Sequence, residues 1–217
     1  EFRSQPTRAW ETCHLDLFGP LTIRDSVVKR GPRVHKKCWG LLICCTQTRA
    51  TWLGVVEDYS TQSLLLTLRQ FLAEKGDVKL LISDPGTQLR GCHNEMKEWR
   101  RGWDEAELTR FGTKHKLEWL FVPANSQHEN GAGEILIKLS KAAMKSLMES
   151  MGTEVLSLNE LYTVLKEAAN LVNERPIGLK PNLSTDPQFL SPNSLLLGRC
   201  SDRVSSGPFL RKDLYDV

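Results

Sequence analysis

Three acidic residues, each in a different local setting, constrain this chain more than any other feature. Asp16 sits inside the strand-like run His14-Leu15-Asp16-Leu17-Phe18-Gly19-Pro20. Asp84 closes the apolar run Val78-Lys79-Leu80-Leu81-Ile82-Ser83 and precedes Pro85-Gly86-Thr87. Glu134 opens a long amphipathic segment after Glu129-Asn130-Gly131-Ala132-Gly133. A strand middle, a strand end and a helix start converge on one point only in an α/β fold. Three carboxylates at that point form an all-oxygen donor set that suits Mg²⁺ or Mn²⁺ and does not favour zinc. Two such ions about 4 Å apart would activate an attacking hydroxyl and stabilise the leaving oxygen of a phosphodiester. Each residue also has a plainer reading. Asp16 alone reads as a structural residue of a strand, Asp84-Pro85-Gly86 as turn chemistry, and Glu134 as a complement to a helix dipole. The combination, in this order and on these elements, favours the metal site.

The surrounding pattern supplies those elements. Residues 1–10 form a polar N-terminal segment. Glu11 to Phe18 reads as a first strand. Cys38 to Thr46 is a continuous apolar run of buried-strand length, and Ala50 to Val56 a third strand after a brief turn. Three consecutive strands of this kind form an antiparallel meander. Ser60-Thr61-Gln62 caps a helix whose Leu64, Leu65, Leu68, Phe71 and Leu72 share one face, and Gly76 ends it. Val78 to Ile82 is a fourth strand, reached by a crossover that places it parallel to its neighbour. A short helix is expected over 93–101, a charged irregular stretch over 102–116, and a fifth strand from Leu117 to Val122. Helices follow from Glu134 to about Ser150 and from Leu158 to about Asn173, the latter stopped at Arg175-Pro176. The expectation is an α/β mixed five-stranded sheet: a three-strand antiparallel meander plus two parallel strands, with helices on both faces. If the fourth strand lies beside the first in parallel, Asp16 and Asp84 sit side by side near strand ends. The core is read as 11–176, with an extended arm over 177–217 that could begin a further domain.

Composition narrows the class without naming it. The 217 residues are 40% apolar and 25% charged, as in an ordinary globular domain. No apolar run reaches membrane-spanning length and no signal peptide is visible. Six cysteines include no Cys-x-x-Cys pair, so they read as buried or free thiols of a reducing compartment. Cys44 and Cys45 should point to opposite faces of their strand. A net charge of +3 does not announce a nucleic-acid partner, but the placement of charge does. Residues 21–37 carry Arg24, Lys29, Arg30, Arg33, Lys36 and Lys37 around Gly31-Pro32, an exposed basic loop that reads equally as a DNA contact or a nuclear signal. In the helix after Glu134, Lys138, Lys141 and Lys145 fall on the same stripe as the glutamate. Ile135, Leu139, Ala142, Ala143 and Leu147 are expected on its buried side. A basic stripe leading away from a metal-binding carboxylate would follow a DNA backbone.

These segments resemble the catalytic core of retroviral and LTR-retrotransposon integrases, nearest to the BEL/Pao group. The resemblance is carried by HLDLFGPL, LISDPGTQLRG, WLFVPANSQHENGAGEILIKLSKAAM, NERPIG and LSPNSLLLGR, in that order over residues 11–200. It implies a ribonuclease H-like fold and Asp16, Asp84 and Glu134 as a DDE triad holding Mg²⁺ or Mn²⁺. It implies that Gln127, His128 and Asn130 belong to the loop before the catalytic Glu, near DNA. Thr87 and Gln88, after the second Asp, would also lie near substrate, and Lys138 and Lys141 would contact the element's DNA ends. It further implies phosphoryl transfer that trims those ends and joins them to target DNA in the nucleus. A homo-oligomer, at least a dimer through helices in 60–75 and 155–175, is the implied assembly.

The triad intervals are longer than in the orthoretroviral enzymes, with the extra length in 21–37 and 97–116. No His-His-Cys-Cys zinc domain precedes the core, which reads as a fragment or as a chain that has lost it. One alternative is a domesticated DNA-binding or assembly module without catalysis. Another is a nuclease or transposase of the same fold, which the SQHENGAGE loop and the distal NERP and LLLGR segments fit less well.

Overall fold

A strand-like mix of apolar and polar residues from Thr12 to Arg24 builds the strand on which the rest of the sheet is hung. The computed structural model describes residues 8–24, 35–58, 60–83, 104–121, 131–152, 155–179 and 189–198, with only the backbone described at 131–134. Strand β1 runs over Thr12–Arg24 and pairs antiparallel with β2 (His35–Cys45), which pairs antiparallel with β3 (Thr51–Val56). Helix α1 (Thr61–Lys75) crosses to β4 (Leu80–Ser83), which lies parallel to β1, and β5 (Glu118–Phe121) lies parallel to β4. The sheet order is therefore β3-β2-β1-β4-β5. The expected meander, the crossover and the placement of the fourth strand beside the first are all present.

Strand alternation divides the core in two. Cys13, Leu15, Trp39, Leu41, Ile43, Cys45 and Leu81 face one layer, with Leu64, Leu68 and Phe71 of α1. Phe18, Cys38, Leu42, Cys44, Leu53 and Val55 face the other. Cys44 and Cys45 thus point to opposite faces, as their adjacency demands. Cys13, Cys38, Cys44 and Cys45 are buried free thiols. Burial pushes Cys38 up to about 11 and Cys44 up to about 12, so both stay protonated and unreactive. Between Phe18 and Leu21 a bulge at Gly19-Pro20 shifts the register with β2. Just before it, Gly40 makes room for the Phe18 ring, because a Cβ there would lie 2.1 Å from Phe18 Cζ.

Helix α1 starts where Ser60 accepts the Ser63 N–H and stops at Gly76, whose φ of 83° suits glycine. The charged stretch 102–116 is not irregular: it forms helix α2 (Glu105–His115). Asp104 caps it, accepting from the N–H groups of Ala106 and Glu107. Glu105 and Glu107 at its start and Lys114 and His115 at its end complement the dipole. Its apolar stripe is only Leu108 and Phe111, too short to stand out among the charges. The expected helix over 93–101 lies outside the described residues.

Helix α3 (Gly131–Ser150) and helix α4 (Leu158–Asn173) cover the second face, the latter with the boundaries expected from sequence. Between them the two-residue β6 (Leu156–Ser157), which sequence did not suggest, pairs parallel with Ile23 and Arg24 of β1. Ser157 and Glu160 form a capping box at the start of α4, and Arg24 donates to Glu160 Oε2 at 2.7 Å. The Ser157 N–H, the Arg24 guanidinium and the Ser157 hydroxyl together hold Glu160 down at about 2. A carboxylate with a depressed folded value contributes stability that is complete above its ordinary 4.5 and is lost as pH falls toward 2. Glu160→Gln keeps the cap and removes the charge. Its melting temperature should fall below the parent's at pH 7, and the gap should close between pH 4.5 and 2 in thermal scans.

The tail does not stay extended throughout. Strand β7 (Gly178–Leu179) pairs with β8 (Phe189–Leu190), and helix α5 (Pro192–Leu197) packs on α4. Asn193 donates to Asn170 Oδ1 at 2.9 Å and to Glu174 Oε1 at 2.5 Å, fixing this segment to the end of α4.

Candidate active site

Asp16 lies mid-way along β1, opposite Leu42 of β2. Alternation gives it the same face as Phe18, and that face is the one α3 covers through Leu136 and Ile137. On its other side β1 is paired with β4, and the last pair of that ladder is Leu15 with Ser83. Each member of that pair directly precedes one of the two aspartates in the chain. Asp16 is half-buried and accepts the Leu17 N–H at 2.7 Å. Asp84 lies outside the described residues. Glu134 is in the first turn of α3, which begins at Gly131 and not at Glu134 as expected; its side chain is not described. Thr87, Gln88, Gln127, His128, Asn130, Lys29, Arg30 and Arg33 also lie outside the described residues. The topology thus puts Asp16 next to the end of β4 and on the face that α3 covers.

The stripe on α3 is as expected: Lys138, Lys141 and Lys145 are exposed. Lys145 lies 3.8 Å from Glu149, one helical turn on. Lys141 Nζ sits 5.9 Å from the centroid of the Phe18 ring, two residues from Asp16. That cation–π contact, a modest one, ties the stripe to the strand bearing the first aspartate. Sequence did not suggest it, although Phe18 shares the parity of Asp16 within HLDLFGPL.

The buried side of α3 differs from expectation. Leu136, Ile137, Ser140, Ala143, Met144 and Leu147 are buried, whereas Ile135 is 61% and Leu139 41% exposed, and Ala142 is exposed too. The buried and exposed arcs are rotated relative to the expected ones, because 135, 139 and 142 lie beside the lysines and not opposite them. Phe18, Gly19, Pro20 and Leu21 on one side and Lys141, Met144, Lys145 and Met148 on the other line a groove of about 710 Å³.

Donor chemistry at this face fits a hard divalent cation. The candidate ligands are carboxylates throughout, an all-oxygen donor set without a thiolate or imidazole among them. Among the described residues no three His, Cys, Asp or Glu side chains are grouped closely enough to hold a metal. Asp84 and the Glu134 side chain lie outside those residues.

No family model matches the chain, and no curated protein sequence does. Solved structures match it. A simian T-cell lymphotropic virus intasome, in complex with a PP2A regulatory subunit, matches with a TM-score of 0.54 at 11% identity, over 93% of this chain and 58% of the other. The catalytic core domain of BIV integrase matches with a TM-score of 0.51 at 10% identity, over 87% of this chain and 95% of that one. The HTLV-2 integrase catalytic core domain in complex with magnesium, in a dimeric form, gives 0.49 at 10% identity, over 80% and 91%. The first two establish the fold: a ribonuclease H-like α/β architecture, that of retroviral integrase catalytic cores.

Proposed function

We propose that this chain is the catalytic core of a retroelement integrase, a polynucleotidyl transferase that trims the element's DNA ends and joins them to target DNA. One observation carries the reading. Asp16 stands beside the end of β4, on the face packed by the helix whose first turn contains Glu134. In this reading Asp16, Asp84 and Glu134 hold Mg²⁺ or Mn²⁺. Bound there, the ions would activate the attacking hydroxyl and stabilise the leaving oxygen. The remaining work falls to positioning by the chain itself. Lys138, Lys141 and Lys145 neutralise phosphates along α3, and the Phe18 ring restrains Lys141. The groove between the bulge of β1 and α3 leaves this basic side open to a duplex.

We read the element as one of the BEL/Pao branch, on the resemblance carried by the NERPIG and LSPNSLLLGR segments. We further propose a homo-oligomer formed through α1 and α4, for which Leu66, 54% exposed on α1, is a candidate contact; a strict monomer by light scattering at high concentration would remove that part. The test of the main reading is a Mn²⁺-dependent disintegration assay on a branched oligonucleotide. Asp16→Asn should abolish turnover while duplex binding stays within a few-fold of the parent. Undiminished turnover would overturn the metal mechanism. Binding without turnover in the parent itself would favour the domesticated, non-catalytic module.

A further inference from the structure

Ser83, the last residue of β4, is 4% exposed, and its hydroxyl accepts the Trp119 indole N–H at 2.9 Å. The backbone ladder pairs Leu81 with Trp119 and Ser83 with Phe121, so this bond runs diagonally across the end of the sheet. The Phe121 ring stacks on Trp119 at 5.5 Å and 13°. Strand β4 has only four residues, and its end is where Asp84 follows in the chain. The ladders to Leu15 of β1 and Phe121 of β5 hold the backbone of Ser83. The indole of β5 adds a side-chain restraint at the residue directly before the proposed metal ligand.

We propose that Trp119 is a positioning residue for Asp84, acting through the Ser83 hydroxyl to fix the end of β4 at the geometry the cation requires. The proposal rests on the metal-dependent reading above. Partners that orient a ligand from behind commonly set metal affinity by about 10–100-fold. A restraint that acts through the backbone of the preceding residue belongs at the lower end of that range.

The test is Mn²⁺ binding to the 217-residue chain, read by electron paramagnetic resonance without DNA or turnover. Trp119→Phe keeps an aromatic ring beside Phe121 and deletes the N–H. Ser83→Ala deletes the acceptor, and Ser83→Thr restores it. Trp119→Phe and Ser83→Ala should each weaken Mn²⁺ binding about tenfold. The double variant should be no worse than either alone, and Ser83→Thr should stay within twofold of the parent. A merely structural role would lower the melting temperature and leave Mn²⁺ affinity unchanged, and that result would overturn the proposal. So would Ser83→Thr binding as weakly as Ser83→Ala. Asp16→Asn separates the two levels. If it abolishes Mn²⁺ binding while Trp119→Phe changes nothing, positioning fails and the metal site stands. If Asp16→Asn also leaves binding intact, the metal reading fails and the positioning role with it.

Discussion

Asp84→Asn is expected to reduce Mn²⁺-dependent strand transfer by at least about three orders of magnitude with the fold intact. Asparagine keeps the size of the side chain and removes the anionic oxygen a hard cation needs. The β1–β4 ladder and the buried Leu81 and Ile82 lie before Asp84, so circular dichroism and the melting temperature should match the parent. Residues that act as one metal-binding unit are grossly non-additive. Asp16→Asn, Asp84→Asn and the double variant should therefore share nearly the same residual rate. Independent losses that multiply in the double variant would show that the two aspartates do not serve one site. Asp84→Asn retaining a tenth of the parent's rate would remove Asp84 from the mechanism.

The largest effect on stability is expected far from the carboxylates, at Asn173. This residue ends α4, yet it behaves as part of the sheet. Its Oδ1 accepts the Thr51 N–H at 2.7 Å, and its Nδ2 donates to the Thr51 carbonyl at 2.8 Å. Strand β3 is an edge of the sheet, and the amide acts there in place of a further strand. Asn173 is 7% and Thr51 2% exposed. In Asn173→Ala a buried N–H and a buried carbonyl lose partners together. At roughly 1–3 kcal/mol for each orphaned group, partly relieved by relaxation, the variant should lose about 2–4 kcal/mol. Urea denaturation reads this as a lower midpoint at an unchanged slope. A loss below about 0.5 kcal/mol would mean that water replaces the amide without cost.

The same geometry explains why NERP stands out in the sequence. Asn173 clamps β3, Glu174 accepts from Asn193, and Arg175 donates to the carbonyls of Val172 and Arg49 at 2.7 Å. Three consecutive polar residues thus close the end of α4 onto the β2–β3 turn and onto α5. Sequence marked the segment only through its family resemblance. Its mechanical role needed the fold, because the partners lie more than a hundred residues away in one direction and about twenty in the other.

What the chain declared by itself was whatever its local chemistry enforces. A mixed apolar–polar run set β1, continuous apolar runs of strand length set β2 and β3, and the cap at Ser60 set the start of α1. The strand–helix–strand crossover makes β4 parallel to its neighbour, and the tertiary structure makes that neighbour β1. Helix α2 went unread because its stability comes from a cap, dipole charges and two buried side chains. The face of α3 was misjudged because Ile135 and Leu139 look like core residues, and only the packed sheet shows which arc is covered.

Strand β6, the Phe18–Lys141 contact, the Trp119–Ser83 bond and the Asn173 clamp each join residues distant in the chain. Local pattern carries no information about such pairs. The carboxylates stand out in the sequence because the chemistry proposed for them demands particular residue types. The groups that hold their surroundings in place were not, because a hydrogen bond across a sheet is specified by where the strands meet.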